Sequence, residues 1–98
     1  MIKRIVKMEF KAAEVERFKA LFDRNKEKIR GFEGCSHLEL WQDVKNNSVF
    51  MTYSYWDSEQ DLNNYRHSEL FKTVWSKTKV LFSEKPKAWT VDTLHQLN

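Results

Sequence analysis

The sequence predicts an α+β domain whose elements follow the order strand, helix, strand, strand, helix, strand. Two observations carry this prediction. Apolar and polar residues alternate with a period of two in separate segments, which is typical of half-buried strands. Two stretches with apolar residues at helical spacing lie among those segments. No linker, repeat or low-complexity segment interrupts the chain, so we expect a single domain over residues 1–98.

The first strand and the first helix lie near the start of the chain. Apolar and polar residues alternate over residues 2–10, and one face of the predicted strand carries the apolar side chains Ile2, Val6, Met8 and Phe10. Arg4 and Ile5 break this alternation, one on each face. From about Ala12 the spacing becomes helical, with a stripe formed by Val15, Phe18, Leu21, Phe22 and Ile29. Cations in the last turn and Gly31 after it indicate where this helix ends.

Two strands are predicted next, over residues 35–41 and 49–56, and they form a hairpin. The connecting residues 43–48 include two asparagines, which tolerate the positive φ angles of tight turns. Both faces of the hairpin are partly apolar, because Leu38 lies on one side of its first strand and Cys35 on the other.

The second helical region begins after the hairpin and consists of two short segments. Asp57 and Ser58 are both good N-caps, and Ser58 has Asp61 three residues later. Ser68 provides a second start signal. The apolar stripe that follows comprises Leu70, Phe71, Val74, Trp75, Thr78, Leu81 and Phe82. Pro86 ends this region, and the last strand is predicted over residues 88–94. This order is the ferredoxin-like βαββαβ topology, with an antiparallel sheet and the helices on one face.

The second face of the predicted sheet has no helix to cover it. Its residues are more apolar than a solvated face should be. The chain also carries four Trp, three Tyr and seven Phe, a heavy aromatic load for so small an interior. We therefore expect two copies of the chain to pack these faces together as a homodimer with twofold symmetry.

The composition argues against several classes of protein. The net charge is +3, and the lysines are scattered among acidic residues, so no clustered surface for nucleic acid is evident. RNA binding is the weakest alternative, because the third strand lacks the glycine-containing motif of RNA-binding domains with this topology. Cys35 is the only cysteine, and no apolar run has the length of a signal peptide or a membrane span. We expect a cytoplasmic protein without a membrane partner.

No motif for a metal or a cofactor is evident. His37, His67 and His95 have none of the spacings that bind a metal ion. Two glycines in the whole chain leave no phosphate-binding loop. No serine has the sequence context of a catalytic triad. We therefore expect neither a metal nor a cofactor.

Four short patterns make the chain similar to a known family. They are Gly31-Phe-Glu-Gly34, Tyr55-Trp-Asp-Ser58, Tyr65-x-x-Ser68-x-x-Phe71 and Pro86-x-Ala88-Trp89. In this order and spacing they resemble the antibiotic biosynthesis monooxygenase family over essentially the full length. The resemblance implies a dimeric α/β barrel. It leaves the activity open, since the family includes cofactor-free oxygenases of polycyclic phenols and quinones, haem-degrading enzymes and isomerases.

The resemblance to the haem-degrading branch is incomplete. That branch ligates iron through a histidine where this chain has Trp75, and its pocket asparagine falls near Val6 or Lys7. An indole cannot ligate iron, and valine cannot donate a hydrogen bond. Haem degradation by that mechanism is therefore disfavoured.

Three aromatic residues are candidates for substrate binding. Trp56, Tyr65 and Trp75 could wall a cleft between helix and sheet where a flat ligand stacks, and core packing is the alternative explanation. His67 is a candidate catalytic base that removes a phenolic proton, with an ordinary surface histidine as the alternative. His37 and Glu39 share one strand face, either as an acid–base pair in a cavity or, more favoured, as groups at an interface.

The resemblance implies a cofactor-independent monooxygenase, or a related small-molecule enzyme, that acts on an aromatic or quinone-like metabolite, and these residues are the candidates for its pocket. The alternative is a non-catalytic dimeric module that binds such a ligand. This alternative stays open because the sequence contains no complete set of catalytic residues.

Overall fold

The computed structural model describes residues 1–98 and places helices on one face of a four-stranded antiparallel sheet. In chain order the elements are β1 (Ile2–Glu9), a short 3₁₀ helix (Ala12–Glu14), α1 (Val15–Arg30), β2 (Cys35–Gln42), β3 (Val49–Trp56), α2 (Glu59–Arg66), α3 (Glu69–Lys79) and β4 (Lys87–Val91). The strands lie in the order β2-β3-β1-β4. The predicted α+β, ferredoxin-like fold is therefore confirmed. None of the helices combines the length and the hydrophobicity that a bilayer-spanning segment needs.

The main hydrophobic core lies between α1 and the sheet. Its six buried residues are Met8, Phe10, Val15, Phe18, Phe50 and Leu81. The ring of Phe10 stacks on that of Phe18 with 4.1 Å between centroids, and Phe50 meets both rings at steep angles. Full burial of one such side chain contributes about 1.5–3 kcal/mol, so this cluster holds α1 against β1 and β3.

A second, smaller core connects the sheet to α2. Its members are Cys35, Trp56 and Leu62, with Phe32 and Tyr65 packed against them. The prediction that Cys35 lies on the opposite face from Leu38 is wrong. A β-bulge between Cys35 and His37 shifts the register, so that Cys35 pairs with Trp56 and turns its side chain towards the helices.

The loop between β2 and β3 is stabilised by side chains and not by positive φ angles. Asp43 Oδ1 accepts a hydrogen bond from the backbone N–H of Lys45 at 2.9 Å, and Asn46 Oδ1 accepts one from that of Ser48 at 3.1 Å. No asparagine has a positive φ, so the turn lies where it was predicted but has a different conformation.

The last strand is shorter than the predicted segment 88–94. It ends at Val91, which lies opposite Lys3 of β1. β1 begins at Ile2 and is the only strand that pairs with β4. In this register Asp92 would lie opposite Ile2, the first residue of β1, and residues after Asp92 would have no strand residue to pair with.

Two serines begin the helices that cover the rest of the sheet. Ser58 Oγ accepts a hydrogen bond from the backbone N–H of Asp61, and Ser68 Oγ accepts one from that of Phe71, both at 3.1 Å. Such an N-cap typically contributes about 1 kcal/mol. The Ser68 hydroxyl also donates to the Tyr65 carbonyl at 2.6 Å, which fixes the corner between α2 and α3. This corner brings the rings of Tyr65 and Phe71 together.

Gly34 is the one residue with a positive φ, +90°, and an added Cβ would overlap Cβ and Cγ of Asp61. We expect Gly34→Ala to lower the free energy of unfolding by about 2–4 kcal/mol, through backbone strain and the clash. Urea denaturation would measure this loss. Gly31→Ala is the control, since Gly31 has a φ of −84° that alanine readily adopts. An equal loss in both variants would contradict the assignment of strain to Gly34.

Candidate functional site

A cavity of about 350 Å³ lies between the sheet and the helices α2 and α3. Val6 and Trp56 belong to its floor, and Tyr65 and Trp75 belong to its roof. Thirteen of its twenty lining residues are hydrophobic. Volume and composition both match sites for small organic molecules, which commonly measure about 300–1,000 Å³.

Four aromatic rings form a continuous wall along the cavity, and we call Trp56, Tyr65, Phe71 and Trp75 the aromatic wall. The rings of Trp56 and Tyr65 are stacked with centroids 4.9 Å apart. Phe71 meets Tyr65 edge-on at 5.3 Å and stacks with Trp75 at 5.7 Å. The three residues that the sequence singled out for substrate binding therefore line one cavity. Their role in binding stays a prediction.

Trp56 and Trp75 differ in how deeply they are buried. Trp56 is 1% exposed, and its indole N–H donates to Ser54 Oγ at 3.0 Å. Trp75 is only half-buried, so one part of its ring remains accessible. Trp56 thus serves the core as well as the cavity, and Trp75 is the more available of the two to a ligand.

The Tyr65 hydroxyl is in a largely apolar setting. Burial raises the pKa of Tyr65 well above its usual value, because the phenolate would lose its hydration. The side chain is therefore a neutral phenol at physiological pH. Tyr65 can stack on a ligand or donate a hydrogen bond to it, but it cannot accept a proton as a base.

His67 lies outside the cavity, directly after Arg66, which lines it. Its side chain is exposed, and Nδ1 is 2.7 Å from the carbonyl oxygen of Asn63. A carbonyl only accepts hydrogen bonds, so Nδ1 carries the proton and Nε2 is left as the acceptor. The structure thus does not bring His67 together with the aromatic wall, and its catalytic role stays a prediction.

His37 and Glu39 lie on the face of the sheet away from the helices, and neither lines the cavity. The carboxylate of Glu39 contacts the ring of His37 and accepts a hydrogen bond from Trp41 Nε1 at 2.9 Å. These two hydrogen bonds lower the pKa of Glu39, and the one with His37 has the larger effect. Their position agrees with interface groups and not with an acid–base pair in the cavity. No group of three or more His, Cys, Asp or Glu side chains is arranged to hold a metal ion.

Sequence reasoning missed three cationic residues that line the cavity, Arg4, Arg66 and Lys87. Arg4 Nη1 donates to Thr90 Oγ1 at 3.3 Å, and its side chain is half-buried. Burial, and then the charge of Arg66, lower the pKa of Arg4. One signal was available in the sequence, since Arg4 interrupts the apolar face of the first strand.

Comparisons with known proteins identify the family from the sequence and the shared fold from solved structures. The sequence model of the antibiotic biosynthesis monooxygenase family matches residues 1–75. A crystal structure described as an antibiotic biosynthesis monooxygenase superposes with a TM-score of 0.91 and 19% identity, covering 97% of this chain and 100% of that one. No protein with a curated description matches the sequence.

Two further solved structures have the same fold. A conserved protein from Methanosarcina mazei Go1 superposes with a TM-score of 0.87 and 20% identity, over 92% of this chain and 89% of that one. A protein from Mycobacterium tuberculosis superposes with a TM-score of 0.88 and 14% identity, over 99% of this chain and 98% of that one. At such low identities the superpositions establish the shared architecture alone.

The two tryptophans should respond differently to truncation. Trp56→Ala removes a buried ring and should lower the free energy of unfolding by about 3–5 kcal/mol. Trp75→Ala removes a half-buried ring at the cavity and should cost about 1–2 kcal/mol, because less area leaves water on folding. Urea denaturation of both variants tests this. Equal losses would contradict the division between a core residue and an accessible wall residue.

Proposed function

The chain belongs to the antibiotic biosynthesis monooxygenase family, and from this premise we propose that it is a cofactor-independent monooxygenase or a related small-molecule enzyme. Its substrate would be a flat aromatic or quinone-like metabolite bound in the cavity. The observation that carries the proposal is the aromatic wall, whose four rings border a cavity large enough for such a molecule. Flat ligands stack on such rings, and the few polar groups orient them.

The chemistry of the lining supports a reaction that depends on the substrate itself. The cavity lining contains no histidine, cysteine, aspartate or glutamate, the side chains that most often ligate catalytic metals. An electron-rich substrate such as an anthrone can reduce oxygen directly after it loses a proton. One oxygen atom then replaces the two hydrogens of the methylene carbon as a carbonyl, and the other leaves as water.

The proposed base is His67, and its position limits what it can do. Its free Nε2 lies outside the cavity, beside Arg66 at the end of α2. It can therefore act only on a substrate group that projects from the cavity next to Arg66, directly or through one water molecule. The hydrophobic lining would meanwhile keep bulk water from the reactive carbanion.

Oxygen uptake tests the activity. We expect the purified protein to consume one molecule of oxygen per molecule of anthrone, with anthraquinone as product and no peroxide. Trp75→Ala should raise KM about tenfold, because loss of one stacking partner costs about 1–1.5 kcal/mol. Val80→Ala is the matched control, since Val80 lies at the end of α3 and is 64% exposed.

A second variant tests the base within the same assay. His67→Gln should lower kcat by about 100-fold or more while KM stays constant, which is the usual contribution of a general base. An unchanged kcat would remove His67 from the mechanism. No turnover across a panel of anthrones and quinols would count against the whole proposal.

A non-catalytic dimeric module that binds such ligands is the second candidate. One observation favours it, namely that no group able to act as a base at neutral pH lines the cavity. The same compounds would then raise the melting temperature of the protein without oxygen uptake or product.

We propose further that each subunit is one domain over residues 1–98 and that two subunits pair through the face of the sheet away from the helices. This face carries aromatic side chains that a solvated sheet would not need. Trp41 stacks on Tyr53 with 4.8 Å between ring centroids, and Trp89 is 45% exposed. The Tyr53 hydroxyl donates a hydrogen bond to the Tyr55 hydroxyl at 3.2 Å, which raises the pKa of Tyr53 to about 12.

Sedimentation measures the proposed pairing. The protein should sediment as a dimer at micromolar concentration, since stable interfaces bury about 1,200–2,000 Å² of surface. Trp89→Glu should shift it to the monomer, because a carboxylate would be buried opposite apolar groups. Val80→Glu places the same charge on the helix side and should leave the dimer intact. A well-folded monomer of the unmodified protein would contradict the pairing.

A further inference from the structure

The charges around the cavity are all of one sign. Arg4 from β1, Arg66 from α2 and Lys87 from β4 line it, and no aspartate or glutamate does. None of the four ion pairs in the protein includes any of these three cations. The cavity therefore holds positive charge that no side chain of the protein neutralises.

Of these three cations, Arg4 is the one whose positive charge its surroundings most disfavour. Its guanidinium is half-buried, and its one side-chain partner is the Thr90 hydroxyl at 3.3 Å, a long hydrogen bond. Burial and the nearby charge of Arg66 both oppose its protonated form. An arginine nevertheless stays charged in proteins, and a bound anion would relieve this cost.

We infer that Arg4 and Arg66 form an anion subsite of the cavity, which takes the carboxylate of a planar aromatic ligand. This inference rests on the proposed function, because the aromatic part of the ligand occupies the same cavity. It goes beyond that function in requiring a permanent negative charge on the ligand.

The position of the two arginines relates the subsite to the aromatic wall. Arg4 lies opposite Ser54 in the pairing of β1 with β3, and the Ser54 hydroxyl accepts the indole N–H of Trp56. Arg66 directly follows Tyr65 on α2. Both cations thus lie at the Trp56–Tyr65 end of the wall, so a stacked ligand directs its charged group to that end.

A carboxylate fits this subsite better than a phenol does. A carboxyl group has a pKa of about 4 and is ionised at neutral pH, whereas a phenol has a pKa of about 10 and is not. The planar carboxylate also accepts paired hydrogen bonds from the fork of a guanidinium. Two uncompensated guanidinium groups therefore select a ligand that arrives with its charge.

Isothermal titration calorimetry with naphthoate and with its neutral amide, naphthamide, tests the subsite. The two probes share a ring system and differ in charge. We expect naphthoate to bind about tenfold more tightly than naphthamide, as charge-assisted hydrogen bonds would provide. Arg66→Gln should remove most of this preference, because naphthoate loses a charge-assisted hydrogen bond and naphthamide loses at most a weaker one to a neutral acceptor. Arg24→Gln, which removes an exposed charge on α1, is the control and should retain the preference.

Arg4→Gln should have the same effect as Arg66→Gln. If that variant does not fold, Arg66→Gln decides alone, since the Arg66 side chain is exposed and not needed for packing. Equal affinities of the unmodified protein for both probes, or a preference that survives Arg66→Gln, would overturn the subsite and leave the aromatic cavity intact. Binding of neither probe would overturn the subsite and the proposed ligand class together, whereas oxygen uptake with neutral anthrone tests the activity separately.

Discussion

The packing of Trp56 between the sheet and α2 is the contact on which the rest of the structure depends. The indole is almost fully buried, stacks on Tyr65 and donates its N–H to Ser54, so it leaves no polar atom unsatisfied. α2 is only eight residues long. Isolated helices below about 12–15 residues are marginal in water, so α2 keeps its form through this packing and its serine cap. The cavity roof therefore exists because the end of β3 supports it.

The two faces of the sheet form different surfaces, because successive side chains of a strand point to opposite faces. Arg4 and Ile5 are neighbours in β1, yet Arg4 lines the cavity while Ile5 pairs with Tyr53 and Trp89 on the other face. The same strands thus supply the cavity floor and the proposed surface between subunits. Because the side-chain period of a strand is two, a one-residue shift in register would exchange the two surfaces.

The sequence predicted well those features that depend on local chemistry. The bounds of β3 and the starts of α2 and α3 follow from turn residues and serine caps within a few positions of each element. The face of Cys35 was predicted wrongly, because a bulge depends on cross-strand pairing that no local pattern shows. The cavity cations were missed for a related reason. Arg4, Arg66 and Lys87 belong to three separate elements, and only the tertiary fold brings them together.

The surroundings of Cys35 protect its thiol from oxidation. The side chain is 8% exposed, and desolvation raises the pKa of its thiol. Oxidants react with the thiolate and hardly with the protonated thiol. Burial therefore keeps the single sulfhydryl group of the chain in its protonated, less reactive form.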